Sequence, residues 1–178
     1  MDSWASAFDQ LLERRVVLAT GRLDGALADR VTAQLLMLDT DSDAPIELLV
    51  DCPEAELDPA FTLLDVCEAL TSDLTIVVTG RLTGAGMVLL TSRHRRYARP
   101  HATLQLSEPH VATSTQSADA AARLVEEHRR RISVLIDRIS ERTTRPAPLV
   151  ADEMSRGVYL TSEEAVTYGL LDDVARRA

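Results

Sequence analysis

Residues 14–39 read RRVVLATGRLDGALADRVTAQLLMLD, and the spacing of the apolar residues changes part-way through. Val16, Val17 and Leu18 form a short β-branched run bounded by Gly21, which reads as a buried strand. From Gly25 the period switches: Leu27, Val31, Leu35 and Leu38 recur at i, i+4, i+8 and i+11, the stripe of an amphipathic helix. A strand followed by a helix is a βα unit, and the rest of the chain repeats it.

Before this unit, ASAFDQLLE (5–13) reads as a short helix with Phe8, Leu11 and Leu12 on one side. After it, DTDSDAP (39–45) is a turn cluster, and IELLVDC (46–52) is a second strand expected to stop at Pro53. DPAFTLLDVCEALTS (58–72) reads as a helix with Asp58 as N-cap and Pro59 in its first turn. LTIVVTG (74–80) is a third strand. The turn in TGRLTGAGMVLL (79–90) then leads to a helix from about Ala85 to Ser92. Ala102, Leu104 and Leu106 alternate as in a strand. Residues 117–142 form one long helix with a stripe of Leu124, His128, Ile132, Leu135 and Ile139. A second apolar row, Val125, Val134 and Ile136, favours a partner. TRPAP (144–148) breaks this helix, a short one follows near 149–156, and SEEAVTYG (162–169) is another, opened by Ser162 and closed by Gly169. Repeated strand–helix units imply a layered α/β fold with right-handed crossovers. No repeat or boundary divides the chain, so one domain over 1–178 is expected.

The 178 residues are 46% hydrophobic but only 3% aromatic, so the core has to come from Leu, Val, Ile and Ala. The net charge of −9 argues against a nucleic-acid partner, because phosphates repel such a surface. Within it, RHRR (93–96) reads as a solvated turn. Every basic side chain other than histidine is arginine; there is no lysine for Schiff-base chemistry or acylation. Cys52 and Cys67 belong to no CxxC or Cys/His cluster, so neither a metal nor a cofactor is expected, and both read as reduced. The N-terminus lacks the apolar core of a signal peptide and no run approaches a membrane span, which points to the cytoplasm.

Larger stretches carry a resemblance. LLERRVVLATGRLDGALADRVTAQLLMLDTD is similar to the "LLKERIIFLxGxIDD…AxxVxAQLLFLExED" opening of the Clp protease proteolytic subunit (ClpP) family. The likeness continues through IELLVDCP and LTIVVTG, and YLTSEEAVTYGLLDDV resembles the family ending "FxSAxEAxEYGLIDxV". It covers Phe8 to Val174, with a short deletion around Ser92–Arg96. It implies a ClpP/crotonase-like fold with a protruding handle, about 107–143, and descent from ATP-dependent serine endopeptidases.

The resemblance also implies where catalysis once lay. The family serine, in a GQAASMGA turn, falls on Gly84, with Gly80 and Gly86 as the flanking glycines; Thr83 is adjacent but is expected to point elsewhere. The histidine of "VMIHQP" falls on Ser107, which is no base near neutral pH. Neither His101 nor His110 matches that motif. The stretch ADEMSRG aligns with "ERDxxRD" and places Glu153 at the aspartate. The oxyanion loop "NSPGG" is here DCPEA (51–55), so Glu54 and Ala55 replace two glycines. The Gly-rich strand after "HQP" is here HVATSTQ (110–116), with no glycine. No catalytic residue is therefore expected.

The implied role is a pseudo-peptidase subunit of a heptameric ring, joined to itself or to ClpP-type paralogues, with an AAA+ unfoldase engaged through the partner ring. Asp152, where the family carries an arginine that contacts the opposite ring, and Glu108, in place of the glutamine of "HQP", are expected to disfavour stacking on an identical ring. Only seven residues precede Phe8, where the family has axial loops. Two alternatives remain: residual serine peptidase activity through Ser107 or Ser92, and crotonase-like chemistry on acyl thioesters through Glu54, Glu56 and Glu153.

Overall fold

The computed structural model describes residues 3–109 and 117–175. The elements run α1 (Ser3–Glu13), β1 (Val16–Leu23), α2 (Gly25–Asp41), β2 (Ile46–Ala55), α3 (Leu57–Ala69), β3 (Leu74–Thr83), a 3₁₀ segment (Gly84–Thr91), β4 (Arg95–Ala98) and β5 (Thr103–Leu106). The handle helix α4 (Ala118–Thr143), α5 (Ala147–Arg156), β6 (Val158–Thr161), α6 (Ser162–Tyr168) and β7 (Asp173–Val174) complete the order. The strands form one seven-stranded sheet ordered β1-β2-β3-β4-β7, with β5 paired to β3 and β6 to β5. All pairings are parallel except β5–β6. This is the expected mixed α/β architecture.

The strand–helix alternation is read correctly, and the α2 stripe lies in the core: Val31 and Leu35 are fully buried, against Leu48, Val50, Leu63 and Leu64. Each such side chain contributes about 1.5–3 kcal/mol by leaving water. Asp24 caps α2 by accepting from the Leu27 amide at 3.0 Å. The 162–168 helix ends at Gly169 in the left-handed region (φ 96°), but Thr161 caps it, in a reciprocal box with Glu164. Ser162 instead donates its hydroxyl to the Arg99 carbonyl at 2.7 Å.

Four readings change. Pro53 does not stop β2, which runs on to Ala55. The ladders shift register on both sides of it, between Thr20 and Arg22 and between Val50 and Cys52, so a residue without an N–H is tolerated there. Glu56, not Asp58, occupies the N-cap of α3, and Asp58 in the first turn reaches Arg131 of the handle at 3.1 Å. The apolar segment after the turn is a 3₁₀ helix starting at Gly84. RHRR is no solvated turn: it leads into β4, His94 is buried with Nε2 2.8 Å from the Cys67 carbonyl, and Arg96 is 1% exposed.

Both cysteines are free and buried, and burial pushes each thiol up to about 12. Only the thiolate is nucleophilic. Iodoacetamide at pH 8 is therefore expected to leave Cys52 and Cys67 unmodified in the native protein and to alkylate both after unfolding, as read by intact mass. Among the described residues no helix is long and apolar enough to cross a membrane.

Candidate functional site

The turn after β3 is shaped by two glycines. A Cβ on Gly80 would lie 2.4 Å from an oxygen of Asp51, whose carboxylate accepts the Arg81 amide at 2.7 Å. Only glycine fits there without displacing Asp51. Gly84 has φ +54°, a conformation in which L side chains are strained, and it opens the 3₁₀ segment. The strand–turn–helix context suits a nucleophile elbow. Thr83 is unavailable for that role, since its hydroxyl donates to the Pro53 carbonyl at 2.8 Å.

The structure brings Gly84 and Ser107 together. A Cβ on Gly84 would lie 3.5 Å from Ser107 Oγ, ordinary van der Waals contact. Ser107 follows β5 directly and, with Glu108, lines a groove whose other walls are His128 and Arg129 of the handle and Arg156 and Gly157 at the end of α5. Gly84 itself is buried beneath this groove.

Glu153 is not brought there. Its Oε2 accepts the Tyr168 hydroxyl at 2.5 Å, and its Oε1 lies 3.8 Å from Arg145. Arg145 stacks on the Tyr168 ring, 3.9 Å from its centroid. Burial and the Glu153 contact push the Tyr168 hydroxyl pKa up. Glu153 thus ties α5 to α6 rather than facing Ser107. On the groove wall the position beside β5 is held by Gly157 (φ +67°), whose carbonyl accepts from Gln105 Nε2 at 3.3 Å.

Glu54 and Ala55 end β2. Glu54 lies 3.3 Å from Arg22 on β1, and Glu56 accepts from the same guanidinium at 2.9 Å. Arg22 therefore spans the strip that glycine amides would line. With Asp58, Leu124, Glu127 and Arg131, these residues border a groove of about 310 Å³ that shares His128 of the handle with the groove beside Ser107. Both carboxylates are partly exposed and ion-paired to one guanidinium.

Of the histidines among the described residues, His94 and His128 each engage a backbone carbonyl, the latter that of Pro109 at 2.9 Å, and His101 is exposed on the turn before β5. His110 and the HVATSTQ stretch lie outside the described residues. Ser92 is fully buried and accepts the His94 amide at 3.3 Å, so it is no exposed nucleophile. Among the described residues, no three His, Cys, Asp or Glu side chains are grouped to hold a metal ion.

The family model for Clp protease matches residues 1–178. The chain belongs to the Clp protease family. The strand-to-helix turn marked by the resemblance opens on Gly84, with Ser107 opposite it. From their motifs, sequence reasoning singles out Gly84 and Ser107, which the fold sets side by side. It misses Gly157, although the same ADEMSRG alignment sets that residue under the second aspartate of "ERDxxRD", four positions after Glu153.

Proposed function

We propose that this protein is a catalytically inactive Clp-type subunit, a structural or regulatory component of a ring complex for protein degradation. The observation that carries this reading is the pairing of Gly84 with Ser107. Where a nucleophile and its base would meet, one residue has no side chain and the other is a hydroxyl. Gly157 on the third wall supplies no carboxylate. In this reading the family aspartate corresponds to Gly157 rather than Glu153, and the arginine before it is Arg156, retained and paired with Asp152 at 2.8 Å. Arg22, Glu54 and Glu56 close the oxyanion strip as an ion-pair cluster. Assembly is supported by the handle, which exposes Leu124, Val125 and Val134 at 36%, 39% and 46%.

The test is to tag the chain in its own cells, measure the native mass and composition of what is recovered, and treat it with a fluorophosphonate. The expected result is a multi-subunit particle in which this chain stays unlabelled while any intact Clp-type paralogue is labelled. Labelling of this chain overturns the inactivity; recovery as a lone monomer overturns the ring role.

A further inference from the structure

The groove beside Ser107 holds about 550 Å³, a size usual for a small-molecule site. Two small residues keep it open. Ser107 enters from the end of β5, and a Cβ on Gly157 would meet only Gln105 Nε2, at 3.3 Å. Val125 and Ile132 of the handle and Met154 of α5 give the groove an apolar wall. The remaining lining is polar, and its charges are unequally committed.

Arg156 is neutralised by Asp152 at 2.8 Å. Arg129 and Glu108 are not neutralised: both are exposed, and neither has an ion-pair partner among the described residues. One groove therefore carries two opposite charges that stand too far apart to pair with each other. His128 supplies a further group. Its Nε2 lies 2.9 Å from the Pro109 carbonyl, which can only accept, so Nε2 carries a proton. In the neutral ring Nδ1 then keeps its lone pair. The lining thus offers acceptors at Glu108 and His128, donors at Arg129 and Ser107, and an apolar wall.

We propose that this groove binds a small zwitterion with an apolar side chain, an α-amino acid of the leucine class. Its ammonium group faces Glu108 and His128. Its carboxylate faces Arg129 and Ser107, and its side chain lies on Val125, Ile132 and Met154. An anion alone would leave Glu108 as an opposing charge, and a cation alone would leave Arg129 as one; a zwitterion answers both. No bond is made or broken. The inference rests on the reading of this site as one without catalysis, because the ligand occupies the space that the small residues leave.

The experiment titrates L-leucine, N-acetyl-leucine and leucinamide into the full purified chain by calorimetry at low salt. Leucine is expected to bind about tenfold more tightly than either derivative, since each lacks one charge. It is also expected to bind about tenfold more tightly than glycine, which offers the apolar wall no side chain. Glu108→Gln is expected to weaken leucine about tenfold and to leave N-acetyl-leucine unchanged. Arg129→Met is expected to weaken leucine by a similar factor and to leave leucinamide unchanged. Both residues are exposed, and circular dichroism verifies that both variants fold. Absence of leucine binding, equal binding of either derivative, or leucine binding that withstands both substitutions overturns the site. The fluorophosphonate reads the chemistry separately. A labelled chain ends the inactive reading, whereas an unlabelled chain that ignores leucine ends only this one.

Discussion

Gly84→Ser by itself is expected to leave the protein without measurable peptidase activity or fluorophosphonate labelling. Space is not the obstacle, because the new Cβ would sit 3.5 Å from Ser107 Oγ. Strain at φ +54° costs about 1–2 kcal/mol, which a folded domain tolerates. What is missing is a base, since two facing hydroxyls cannot transfer a proton usefully near neutral pH. Triad members act as a unit, so single restorations add little. Gly84→Ser/Ser107→His/Gly157→Asp is expected to label and to hydrolyse a peptide ester slowly. An aspartate at Gly157 displaces only the flexible end of Gln105, whose Nε2 lies 3.3 Å from the added Cβ. The same triple built with Glu153→Asp in place of Gly157→Asp is expected to stay inactive, because that carboxylate faces Tyr168 and Arg145. Even the productive triple is expected to fall short of an intact site by roughly 10²–10³, for want of oxyanion donors at Glu54 and Ala55. Higher activity of the triple carrying Glu153→Asp would return the aspartate position to Glu153.

Arg96→Met is expected to lower stability by about 3 kcal/mol and the Tm by roughly 6–12 °C, measured by calorimetry. Arg96 is 1% exposed, and its guanidinium is fully engaged: Nη1 donates to the Leu90 carbonyl at 2.9 Å, Nε to Asp172 Oδ2 at 3.3 Å, and Nη2 to Asp172 Oδ1. Its backbone amide also donates to Asp172 at 2.8 Å, and Arg142 reaches the same carboxylate at 3.5 Å. Methionine fills much of the volume but leaves the Leu90 carbonyl without its donor. Asp172→Asn is expected to cost at least as much, about 3–5 kcal/mol, because it leaves the buried Arg96 guanidinium without a counter-ion although the carboxylate itself is 40% exposed. A markedly smaller loss from Asp172→Asn would mean that the burial of Arg96, not the ion pair, sets the cost.

The contrast between these residues shows what sequence exposes. Leu27, Val31, Leu35 and Leu38 announce α2 because their spacing and their burial have one cause, the face of a helix. Arg96 announces nothing. Its partner is 76 positions away, and in a chain whose cations are nearly all arginine a basic run looks like surface. Pro53 misleads for a related reason: its effect on a strand depends on whether the ladder needs its N–H, and the register shifts that remove the need arise from neighbouring strands. At the site, Gly84 and Ser107 are legible because each lies in a distinctive motif. Glu153 and Gly157 are one helical turn apart in a motif with two aspartates. Nothing in the spacing says that α5 ends between them, and that end sends the first to Tyr168 and the second to the groove.

Among the described residues the handle is anchored mainly from His128 towards its C-terminal end. Leu135 and Ile139 are fully buried, Arg138 reaches Glu68 at 3.3 Å, and Arg131 reaches Asp58 at 3.1 Å with the Phe61 ring 5.7 Å away. Beyond Arg131 the helix continues to Ala118 with its side chains largely exposed. Thirteen residues at 1.5 Å each make a lever of about 20 Å, with Arg131 as its fulcrum. A tilt of about 5° at that fulcrum moves the tip by roughly 1.7 Å, enough to make or break a hydrogen bond. The fulcrum borders the groove that Glu54 and Ala55 share. Whatever settles in that groove therefore rests against the point from which the helix projects.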